Sequence, residues 1–134
     1  MPTITTIYSG ELRTRATHVK SGVEIITDAP TDNHGKGEAF SPTDLLAASL
    51  GSCMISFMGI LANQLHINID GAQLNITKVM AANPRRVSEV IVVVNMPHNN
   101  YSKEHKALLE DAAINCAVAK SLHPDLIQKV KLNY

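Results

Sequence analysis

From Pro42 to Leu65 the chain runs "PTDLLAASLGSCMISFMGILANQL", with Leu45, Leu46, Leu50, Met54, Ile55, Phe57, Met58, Ile60, Leu61 and Leu65 spread around every side of a helix. The start is well marked. Ser41 suits an N-cap, Pro42 the first helical position, and Asp44 stands three residues after Ser41, as a capping box requires. At 1.5 Å per residue such a helix is roughly 36 Å long. A helix with no wet face must be buried all round, and the rest of a 134-residue chain can scarcely surround it. The sequence therefore predicts a partner subunit. Ser49, Ser52, Ser56, Gly59 and Asn63 recur at spacings of 3, 4, 3 and 4, a stripe of mostly small residues that would admit a second backbone or a sheet. The same polar and small residues, with Gly51 and Gln64, break the run and argue against a bilayer span of about 20 apolar residues.

Length bounds the remainder. A chain of 134 residues is most simply one domain, residues 1–134, with a core of its own. Twelve Lys and Arg balance twelve Asp and Glu, so no excess charge recommends nucleic acid or an anionic membrane. The first residues, "MPTITTIYSG", lack a basic stretch followed by an apolar one and do not read as a secretory signal, which suggests a cytoplasmic protein.

The pass along the chain gives an α+β order, βββ-α-ββ-α-β. Residues 3–8, 12–19 and 23–28 are rich in β-branched side chains and separated by Ser9-Gly10 and Ser21-Gly22, which predicts an antiparallel meander. A polar loop follows to Phe40. After the long helix, residues 71–82 and 86–96 read as strands around Asn83-Pro84, a second helix is expected from about Ser102 to Leu122, and "LIQKVKLNY" reads as a last strand.

Two cysteines, Cys53 in the long helix and Cys116 in the second, are free thiols or a working redox pair in a reducing compartment. Taken alone, Cys53 reads first as a small, inert buried hydrophobe, because free cysteines are among the most buried side chains. As a nucleophile it would have to be a thiolate, and apolar burial opposes that charge. Cys53 lies about a dozen residues into its helix, beyond the turn in which the dipole acts, so a cation is needed. Arg13 and Arg15 alternate onto one face of the second strand, and one or both are the candidates. Arg85 and Arg86 fall in a turn.

"GEAFSPTDLLAASLGSCM", together with "CAVAKSL" at 116–122 and the element order, resembles the OsmC/Ohr family of organic-hydroperoxide-reducing proteins over nearly the whole chain. Ser41, Pro42, Leu45, Ala47, Ala48 and Cys53 match the family's stretch around its first cysteine, while Cys116, Val118 and Lys120 match its second. The resemblance implies an OsmC-like intertwined homodimer, with long central helices packed against antiparallel sheets and sites at the subunit interface. It implies that a Cys53 thiolate attacks a peroxide, that Cys116 resolves the sulfenic acid, and that a dithiol of lipoyl or similar type restores the pair without a metal or other cofactor. Leu50, Met54, Phe57 and Met58 offer an apolar lining that suits organic hydroperoxides. Many members carry a glutamate after the proline to orient the arginine, where this chain has Thr43 followed by Asp44. Ala117 replaces a common proline and would let the second helix run past Cys116.

The remaining motifs carry little. Six histidines, His18, His34, His66, His98, His105 and His123, have no short paired spacing with cysteine or carboxylate, so no metal site is expected. "GKG" at 35–37 lacks the rest of a phosphate loop, and "NIT" at 75–77 is a glycosylation pattern without meaning in a cytoplasmic strand. Two functions remain open: a peroxidase using Cys53 and Cys116, and a non-catalytic dimeric domain that holds a small apolar ligand at its interface.

Overall fold

The computed structural model describes all 134 residues and divides into two compact units, Met1–Leu46 and Ala47–Tyr134. The first holds β1 (Ile4–Gly10), β2 (Arg13–His18) and β3 (Glu24–Asp28) as the expected antiparallel meander. The β1–β2 turn is made by Glu11 and Leu12, both at positive φ (54° and 62°) and neither of them glycine. External contacts hold this costly conformation. Glu11 pairs with Lys36 at 2.7 Å, and the Leu12 carbonyl accepts the Ala29 N–H. Few side chains of the sheet are covered, with Ile4, Ile7, Tyr8, Val23 and Ile25 all exposed.

The long helix α1 (Pro42–Leu65) has the predicted bounds and crosses from the first unit into the second. Its start is the capping box: the Asp44 N–H donates to Ser41 Oγ and the Ser41 N–H to Asp44 Oδ2, both at 3.0 Å. Length and composition would allow α1 to cross a membrane, although a third of its most apolar window is buried within the chain. That buried seam consists of Ala47, Leu50, Gly51, Met54, Met58 and Ala62, at helical spacing. Burial all round is not what the single chain provides. Ser49, Ser52, Ser56 and Asn63 of the small-residue stripe are exposed, as are Phe57 and Ile60.

The second unit adds β4 (Gln73–Ala81), β5 (Arg86–Asn95), α2 (Lys103–Ile114), α3 (Ala117–Ser121) and β6 (Ile127–Asn133). Its sheet has the order β4-β5-β6, with fully buried Val90, Val92 and Val94 on the central strand. Gly51 lies so close to the sheet that a Cβ there would come within 2.3 Å of the Ile76 side chain. Two expectations need correcting. The second sheet is not wholly antiparallel, because β6 returns through two helices and pairs parallel with β5, the geometry a helical crossover permits. The second helix is not continuous either. Asn115 turns its side-chain amide back onto the Asp111 carbonyl (2.9 Å) and carboxylate (3.1 Å), which competes with the helical ladder. Cys116 then takes an extended conformation (φ −69°, ψ 160°), and α3 starts after it.

Ser41→Ala should lower stability by about 1 kcal/mol through loss of the α1 cap, read as a lower urea midpoint with an unchanged slope. An unshifted midpoint would remove the cap from the account.

Candidate active site

Both cysteines lie in the second unit and both are free thiols. Cys53 flanks the buried seam of α1 and is half-buried, whereas Cys116, between α2 and α3, is fully buried. The helix break brings the second sulfur to the first. Burial pushes the Cys116 thiol above its ordinary value, and its hydrogen bond to Cys53 adds to the rise. Cys116 is therefore held as a thiol near neutral pH. The Cys53 sulfur also accepts the backbone N–H of Val118 at 3.4 Å. The same Val118 amide, with that of Ala119, also serves the Cys116 sulfur and opposes the rise there.

The arginines lie in the first unit. The Arg13 guanidinium donates to Asp28 in a bidentate fork, Nε to Oδ1 at 2.7 Å and Nη2 to Oδ2 at 2.8 Å, and Nη2 also reaches Glu38 at 3.2 Å. The two residues are direct partners in the β2–β3 register. The fork raises the Arg13 pKa further and holds the Asp28 carboxyl below its usual range, against the opposing effect of burial. Arg15 shares this face but is more exposed, with Glu24 at 3.9 Å. Thr43 bonds the Ser41 hydroxyl at 3.1 Å, and the Asp44 carboxylate serves the cap.

Of the four residues expected to line a substrate pocket, Leu50, Met54 and Met58 have no exposed surface. They form the seam. Phe57, 41% exposed, is different. With Ile60, Leu61, Leu108, Ala112 and Asn115 it lines a groove of about 330 Å³ between α1 and α2. Phe57 is one helical turn beyond Cys53 on the same face, and Asn115 immediately precedes Cys116. Sequence reasoning missed Asp28, Glu38 and the Val118 amide. A signal for Asp28 existed, since an acid closing the third strand of a meander can stand opposite a basic residue of the second. Nothing marked a backbone amide.

Residues 35–130 match the family model described as OsmC-like protein, and the chain belongs to that family. Among solved structures it is similar to a protein of Psychrobacter arcticus 273-4, provisionally described as an osmotic stress induced and detoxification response protein. That match has 51% identity and a TM-score of 0.96, covering 99% of this chain and 96% of the other. It also shares its fold with an organic hydroperoxide resistance protein OsmC of Legionella pneumophila (18% identity, TM-score 0.78, 100% and 98% covered). An organic hydroperoxide resistance protein of Elizabethkingia anophelis is similar in the same way (18% identity, TM-score 0.69, 99% and 96% covered). No curated protein sequence matches the chain.

Iodoacetamide should modify Cys53 well before Cys116, because the latter is buried and kept protonated. Peptide mapping in the opposite order would refute that ranking. Asp28 has a lowered pKa, so its contribution to stability is present above the ordinary carboxylate range and is lost as pH falls through its folded-state value. Asp28→Asn should flatten the acid limb of the stability–pH curve, and an identical limb in wild type and variant would contradict this.

Proposed function

We propose that the chain is a thiol-dependent peroxidase that reduces organic hydroperoxides through Cys53 and Cys116. The observation that carries this reading is the contact between an accessible sulfur and a buried, protonated one, since sulfenate chemistry needs an attacking thiol and a resolving thiol within reach. The family membership and the hydroperoxide-resistance proteins that share the fold support it.

In the proposed cycle the Cys53 thiolate attacks one peroxide oxygen, the O–O bond breaks, and the alkoxide leaves and takes a proton as alcohol. Cys53 is then a sulfenic acid. The Cys116 sulfur attacks it, a disulfide forms, and water departs. A dithiol of lipoyl or similar type reduces that disulfide and is itself oxidised to a disulfide. Arg13, with Arg15 as the lesser candidate, provides positive charge for the thiolate, and Asp28 and Glu38 hold Arg13 in place of the family's glutamate. The organic group of the substrate lies in the groove beside Phe57. The exposed apolar residues of α1 and of the first sheet support a homodimer, and regeneration by a dithiol suits the cytoplasm.

A second reading, a non-catalytic dimeric domain holding a small apolar ligand, is favoured by one observation. Arg13 already faces two carboxylates. The two readings separate on turnover. With cumene or tert-butyl hydroperoxide and a lipoyl-type dithiol, wild type should consume peroxide, Cys53→Ser should abolish consumption, and Cys116→Ser should accumulate a sulfenic acid that dimedone traps. Peroxide left untouched by wild type with several dithiols would establish the second reading instead.

A further inference from the structure

The break between α2 and α3 leaves the Val118 amide without a helical acceptor four residues earlier, since α3 begins only at Ala117. That N–H points instead at the sulfur of Cys53, 65 residues away in sequence and 3.4 Å away in space. We propose that the backbone amide of Val118 is a catalytic group, hydrogen-bonded to the reacting sulfur of Cys53 and stabilising the negative charge that develops there. The proposal rests on Cys53 being the nucleophile of the reaction above.

Three features support the role. The amide is held by its surroundings: the neighbouring turn is closed by the Lys120 N–H on the Cys116 carbonyl at 3.1 Å, and the Gln128 side-chain amide donates to the Ala119 carbonyl at 3.0 Å. A donor held in this way needs no reorganisation when charge appears, which is what makes a backbone amide effective against an anion. Cys116, two residues before the amide, is fully buried, and burial raises its thiol pKa. The half-exposed Cys53 is the sulfur open to a reagent. The contact also lies wholly within the second unit and uses none of the arginines.

An amide-to-ester exchange at position 118, with the α-hydroxy analogue of valine, removes this N–H and keeps the side chain. The same exchange at position 110 removes a helix bond inside α2 and leaves the Cys53 donor and its surroundings in place. The rate of Cys53 alkylation by iodoacetamide is followed from neutral to strongly alkaline pH. The 118 ester should react about fivefold more slowly near neutrality, the equivalent of one hydrogen bond of roughly 1 kcal/mol. It should match wild type at the alkaline plateau, and the 110 ester should follow wild type throughout. Superimposable profiles for the 118 ester and wild type, or an equal shift in the 110 ester, would overturn the proposal. Should the esters fail to refold, Val118→Pro compared with Ala117→Pro repeats the test in recombinant protein, because only the former lacks the N–H and proline is tolerated in a first helical turn. The alkylation shift without hydroperoxide turnover in wild type would sustain the amide's role and refute the peroxidase. Turnover without the shift would do the reverse.

Discussion

The burial period of α1 is the constraint on which the candidate site depends. Leu50, Met54 and Met58 have no exposed surface, and each such side chain favours burial by about 1.5–3 kcal/mol. Turning the helix by one residue, about 100°, would lift all three out of the seam. No single contact at Cys53 competes with that. The cysteine's direction is thus set by its neighbours on the helix, and the groove beside Phe57 is the flank the seam leaves over.

The second determinant is the interruption at Asn115 and Cys116. A continuous helix would have used the Val118 and Ala119 amides in its own ladder. Because the chain turns extended for one residue, the Val118 amide meets the Cys53 sulfur instead, and the Ala119 amide serves Cys116. The two sulfurs are consequently unlike. One is half-open with a backbone amide directed at it, and the other is enclosed, its thiol pKa raised by burial. In the proposed cycle, attack and resolution are assigned on this difference in environment, since the residue type is the same.

What could be read from the sequence follows the range of the forces involved. The bounds of α1 were legible because a capping box and an apolar run are local signals, and the first meander because alternation and turn residues are local too. The division of α2 from α3 was not, since Asn115 achieves it through a side-chain bond that the residue type alone does not dictate. Parallel pairing of β6 follows from its helical connection, although alternation in "LIQKVKLNY" says nothing of direction. Arg13 could be placed on its face by the period of two. Its partner Asp28 required the register of β2 against β3. The lining residues illustrate the limit most plainly: on a helix apolar all round, composition cannot separate Leu50 in the core from Phe57 in a groove.

The central claim is that Cys53 and Cys116 form one redox unit within the chain. Treating the reduced protein with a single equivalent of organic hydroperoxide and analysing intact mass and non-reduced peptides tests it most directly. The account predicts the loss of two hydrogens and a Cys53–Cys116 peptide linked by a disulfide. Retention of added oxygen on Cys53, with Cys116 still a free thiol, would contradict it.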